Sequence, residues 1–189
     1  MHTVAYDLMY LEAGLDELES YLLSDHLYWN LGASAPRGEP QFPSLTLGGL
    51  LLARQRLNAR RLEPSDEHNF QTLVRRLELS QVKWRVAWEQ KSQRSFHARL
   101  NQWNNYFADY LAQPEVYADQ YPQEVRIRLM LDLLQPLAEP VKRSQLELLH
   151  SLDALLHVRL VPGEFVWEKE LAEGFPKDRY WYLYGHLKE

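Results

Sequence analysis

The chain has 189 residues, 46% of them hydrophobic and 25% charged, with a net charge of −5 and no cysteine. Such proportions suit one globular domain, residues 1–189, with a sizeable core, and they exclude a disordered or collagen-like chain. The missing cysteine excludes a disulfide framework, a thiolate metal site and a cysteine nucleophile. Residues 1–7 lack the basic start and apolar run of a signal peptide, and the apolar stretch around Leu45 to Ala53 is shorter than the about 20 residues a membrane span needs. A cytoplasmic protein without a membrane partner is expected.

Leucine dominates the aliphatic residues, while Ile127 is the one isoleucine and threonine occurs three times. Leucine favours helices and β-branched side chains favour strands, so the fold class expected is all-α. It should be an irregular bundle of about five helices, with one long central helix (about 65–112) and an aromatic-rich, turn-containing C-terminal wrap.

In chain order, Leu8, Leu11, Leu15, Leu18 and Leu22 recur at helical spacing and predict a first helix from about Asp7 to Ser24. Asp16, Glu17 and Glu19 fall between them, facing water. A loop from about Asp25 to Pro43 carries five Gly or Pro residues together with Tyr28, Trp29 and Phe42, and is expected to pack on the body. Ser44 is the expected N-cap of a second helix reaching about Leu62, with Gly48 and Gly49 in its first turn allowing another backbone to approach.

Between Pro64 and Pro114 there is neither glycine nor proline. Ser65 or Asp66 can cap a helix there. Phe70, Leu73, Leu77, Trp84, Trp88, Leu100, Trp103 and Phe107 then form one apolar stripe, which predicts a long helix kinked near Leu79 to Gln81. Pro122 suits a first turn, so a helix follows over about Gln123 to Leu137. Another opens at Glu139–Pro140 and ends near Leu160, before Pro162 and Gly163. Phe165, Trp167, Phe175, Tyr180, Trp181, Tyr182 and Tyr184 crowd the last segment, which should be extended or turn-rich with a short helix near Lys169 to Glu173.

Charge is unevenly spread. Residues 1–50 carry one basic and seven acidic side chains, residues 51–110 eleven and six, and residues 111–189 nine and thirteen. A basic middle between acidic ends can be paired within the fold or can dock a partner.

Three constellations could carry function. Glu147 and His150 form a Glu-x-x-His pair, a spacing that di-iron bundles use, but the second such pair is missing. His150, Asp153 and His157 lie within an arc of about 60° on one helix and are the candidate metal ligands, with His97 or His26 as a fourth. The competing explanation is a polar border beside a leucine face. Arg75, Arg76, Lys83, Arg85, Lys91, Arg94 and Arg99, interleaved with Trp84, Trp88 and Trp103, could meet phosphates and bases. The tryptophans fall on the core stripe, however, and Glu78 and Glu89 dilute the face, which argues against nucleic acid. The aromatic C-terminus could form a pocket or interface, or could close a secondary core against Tyr28 and Trp29.

No Walker-type loop, dinucleotide-binding glycine fingerprint, His-Glu-x-x-His or nucleophile-elbow serine is present. No cofactor is therefore assigned. The expectation is a protein-binding or scaffold module without catalysis, self-associating as a homodimer through the long helix. A metal-dependent enzyme built on His150, Asp153 and His157 and a nucleic-acid binder are the alternatives.

Overall fold

Thr3 opens the first helix of the computed structural model, which describes residues 2–188. Its hydroxyl accepts from the Tyr6 N–H, and α1 runs Val4–Asp16. The leucines of the predicted stripe are all buried, Leu11 and Leu18 almost completely. Each such leucine contributes about 1.5–3 kcal/mol.

The helix expected to continue to Ser24 is broken at Glu17, whose φ of −102° and ψ of 1° separate α1 from α2 (Leu18–Leu23). Glu17 is not a free water-facing acid. One carboxylate oxygen accepts from the Trp29 indole at 2.5 Å and the other from the Gly32 N–H at 2.9 Å. Those bonds dock the following loop, which adds a single bridge between Trp29 and Leu45.

α3 spans Leu47–Asn58, shorter than expected at both ends. Thr46, not Ser44, is its cap, accepting from the Gly49 N–H at 3.0 Å. Gly49 admits a side chain rather than another backbone: a Cβ there would stand 2.6 Å from the Tyr10 hydroxyl.

The glycine-free stretch forms two helices, α4 (Pro64–Lys83) and α5 (Arg85–Ala112). The break falls at Trp84, with φ −113° and ψ 32°, beyond the predicted Leu79–Gln81. Pro64 takes the first turn, so Glu63 rather than Ser65 or Asp66 is the capping position. Partners explain the bend. α4 lies on α1, with Arg76 paired to Asp16 at 2.7 Å, whereas α5 lies on α2 and α7. Lys83 reaches Glu19 at 3.1 Å beside the break, so the bend in α4–α5 follows the bend between α1 and α2.

A one-turn helix, α6 (Pro114–Tyr117), leads into α7 (Tyr121–Leu134), which ends in a 3₁₀ turn at Gln135–Leu137. α8 covers Arg143–Arg159, starting three residues beyond the expected proline. The five expected helices thus become eight: two are split and α6 is added.

The C-terminal wrap contains the one sheet among the described residues. β1 (Leu160–Phe165) and β2 (Tyr184–Leu187) pair antiparallel, Leu160 opposite Leu187 and Val161 opposite His186, with an irregularity between Pro162 and Phe165. Gly185 has φ +146°, and a Cβ there would stand 2.2 Å from the Val161 carbonyl oxygen. Between the strands lies the expected turn-rich segment, with 3₁₀ turns at Lys169–Gly174 and Trp181–Leu183. No helix among the described residues is long and apolar enough to cross a membrane.

Much of the charge imbalance is resolved internally. Asp7 is 0% exposed and accepts from Arg56 at 3.0 and 2.5 Å, with Arg60 at 3.7 Å. Arg76, Lys83 and Arg94 pair with Asp16, Glu19 and Asp25. The basic middle therefore folds onto the acidic first segment. Of these pairs only those of Asp7 with Arg56 and Arg60 are substantially desolvated, and removing one partner of a buried pair costs far more than removing an exposed one. Asp7→Asn is expected to lower the unfolding free energy by about 3 kcal/mol. Urea denaturation should show a lower midpoint at unchanged slope, and a loss below about 1 kcal/mol would mean that α1 is held on α3 by apolar packing alone.

Candidate functional site

Arg99, Gln102, Tyr106 and Asp109 recur on α5 at intervals of three, four and three, so they share one helix face. Together with Tyr10 of α1, Tyr28 and Thr46 of the loop region, and Glu124, Arg126, Ile127 and Met130 of α7, they line a cleft of about 580 Å³. That volume falls in the range of small-molecule sites.

Arg99 is the unusual member. It is half-buried, and among the described residues no ion pair involves it. Its guanidinium donates to the Gln102 side-chain oxygen at 2.6 Å and the Thr46 hydroxyl at 3.1 Å, and lies 5.7 Å from the centre of the Tyr28 ring. Gln102 in turn donates to the Tyr28 hydroxyl at 2.9 Å. Burial, reinforced by the charge of Arg126, pulls Arg99 below its ordinary value. An arginine nevertheless stays protonated, so its fork is held ready for an anion.

The opposite end of the cleft has the reverse character. Asp109 and Glu124 line it without an ion pair among the described residues. Burial pushes the Tyr106 hydroxyl up, and the charge of Glu124 pushes it further. Tyr106 donates to the Tyr117 carbonyl at 3.1 Å, which fixes its position. Burial likewise raises Tyr10, whose hydroxyl sits over the start of α3.

The predicted metal ligands have other partners. Asp153 accepts from Arg128 Nε at 2.7 Å and Nη2 at 2.9 Å, so both carboxylate oxygens are taken. His157 packs edge-on against Trp181 at 4.8 Å between ring centres, and His150 is exposed. His97 contacts Asn101 and Gln145. Among the described residues, no group of three or more His, Cys, Asp or Glu side chains is arranged to hold a metal ion.

The central basic residues are also largely engaged. Arg76, Lys83 and Arg94 are paired with acids, and Arg85 lies 3.9 Å from Glu89. Lys91 is buried and its ammonium donates to the Ser24 and His26 carbonyls at 2.6 and 2.8 Å. Trp88 and Trp103 are buried and Trp84 half-buried. Trp88 and Trp103 therefore offer no free face to a base.

The aromatic C-terminus packs on itself and on α7 and α8, not on Tyr28 and Trp29. Phe165, Trp167 and Phe175 contact one another, and the Trp167 indole donates to the Pro122 carbonyl at 2.8 Å. Tyr182 donates to Asp132 at 2.6 Å, and Asp132 also accepts from Arg128 at 2.5 Å. Arg128 thus joins α7, α8 and the last segment through Asp132, Asp153 and the Tyr182 ring, 4.7 Å away.

Comparisons with family models, curated proteins and solved structures gave no match. What the cleft does must be read from its own chemistry. The sequence showed Arg99 only as one of seven basic residues. The recurrence of Arg99, Gln102, Tyr106 and Asp109 was the available signal, and it was hidden beside the stronger apolar stripe on the same helix.

Arg128→Met would leave Asp132 and Asp153 close together without their cation. It is expected to cost about 3–5 kcal/mol in urea unfolding, and adding Asp153→Leu should recover part of that loss. Strictly additive losses would show that the two side chains act independently.

Proposed function

We propose that this chain is a binding module whose cleft between α1, α3, α5 and α7 takes a small anionic ligand. The single observation that carries this is Arg99: a half-buried guanidinium, aimed into a cleft, with neutral partners only. Burying a charge without a counter-charge is costly, so a protein that keeps one gains when an anion completes it. The Tyr10, Tyr28 and Tyr106 side chains add aromatic wall beside it, suited to the apolar part of an organic acid. No nucleophile–base pair accompanies Arg99, so binding rather than catalysis is proposed.

Benzoate and inorganic phosphate are the probes. An anion that binds only the folded state raises the melting temperature, by the equivalent of about 2.7 kcal/mol at a hundredfold excess over its dissociation constant. Benzoate should stabilise the wild type saturably and leave Arg99→Met unmoved, while the unliganded variant is at least as stable as the parent. An equal response in both proteins, or none in either, would remove the proposal.

Self-association is also supported, by a separate surface. Leu79 and Val82 are 63% and 79% exposed near the end of α4, and Val86 is 59% exposed at the start of α5, on either side of the break at Trp84. This scaffold-like homodimer is expected to dissociate on Val82→Glu with the fold intact. Sedimentation velocity decides it: a wild-type monomer at every concentration would rule the dimer out.

A further inference from the structure

α5 and α7 give the cleft a direction. Arg99 and Thr46 meet at one end, where the Met130 side chain lies against Gly48. Tyr106, Tyr117 and Glu124 meet at the other. α7 therefore runs back along α5, with Met130 toward Arg99 and Glu124 toward Tyr106. Seven residues of α5 separate Arg99 from Tyr106, which is about 10 Å, and ten separate it from Asp109, which is about 15 Å.

Fixed charges stand at both ends of this axis. Arg99 stands at the first end and Glu124 and Asp109 at the second, with Arg126 two residues from Glu124 on α7. Were the cleft only an anion trap, two acids without ion-pair partners on its wall would weaken it. Arg99 and Asp109, on one rigid helix, cannot reach each other across about 15 Å, so they do not neutralise each other directly. A bound molecule can satisfy both.

Resting on the anion-binding reading above, we infer that the ligand is dipolar: an anionic group held by Arg99 and, about 10 Å away, an ammonium or similar cationic group held by Glu124 and Asp109. The tyrosines between the ends would cover an uncharged linker. Amino-acid or short-peptide zwitterions with separated charges belong to this class. A plain dicarboxylate would place its second carboxylate among acids, and a diamine its second ammonium beside Arg99. Like-charge contacts of this kind supply discrimination.

The test compares three straight-chain probes of about eight carbons, roughly 10 Å long: an ω-amino acid, the dicarboxylate and the diamine. Calorimetric titration of the full chain should rank the ω-amino acid about tenfold or more above both others, the scale of one charge-assisted hydrogen bond. Glu124→Gln combined with Asp109→Asn should abolish that preference while the dicarboxylate still binds. Arg99→Met should remove binding of both acids. Dicarboxylate binding equal to that of the ω-amino acid, or a preference surviving the double variant, would overturn the dipolar ligand and leave the anion site standing. Failure of both acids to bind, together with a flat benzoate response, would overturn both readings.

Discussion

Burial of Asp7 sets the geometry on which the rest of the molecule relies. A carboxylate with no exposed surface must meet its cation in one arrangement, and Arg56 supplies a two-pronged one across α1 and α3. That contact fixes how α1 lies along α3. One turn further on, it brings the Tyr10 hydroxyl against Gly49. It thereby positions Thr46, whose hydroxyl both caps α3 and accepts from Arg99. An ion pair at one end of α3 and a cleft at its other end are parts of one rigid arrangement.

A second polar junction does the same for the end of the chain. Arg128 on α7 is nearly enclosed, yet two aspartates and an aromatic face surround it. Burial opposes its charge, but the hydrogen bonds it donates to Asp153 and the charge of Asp132 outweigh that and raise it above its ordinary value. Tyr121 and Tyr110 add hydrogen bonds to the Tyr182 and Lys188 carbonyls. The aromatic segment is thus tied down as structure, and the cleft on the α5–α7 face lies apart from it.

The two arginines show how identical side chains take opposite roles. Arg128 has its negative charges built in, so its environment is complete. Arg99 is surrounded by a glutamine and a threonine, which accept its hydrogen bonds, and by the Tyr28 ring, none of which cancels its charge. Lys91 is a third case: the Ser24 and His26 carbonyls and the Ser24 hydroxyl accept from its ammonium, and no acid is needed. The Arg99 arrangement is the one proposed to be completed by an added anion.

Helix was legible from residue choice and period. The Leu8–Leu22 stripe and the Phe70–Phe107 stripe are buried almost as written, because a helix face follows from spacing along one segment. The breaks at Glu17 and Trp84 were not legible, since each depends on a partner: Trp29 and Gly32 for Glu17, and the bend of α1–α2 for Trp84. The β1–β2 pair joins residues 19 to 27 positions apart and leaves no local period. The candidate site divides the same way. Sequence alone determined that Arg99, Gln102, Tyr106 and Asp109 share a face, and that His150, Asp153 and His157 share another. Only tertiary structure decided that Arg128 would occupy Asp153 while no acid would reach Arg99, because charge pairing is set by which helices lie side by side, and spacing within one helix carries no record of its neighbour.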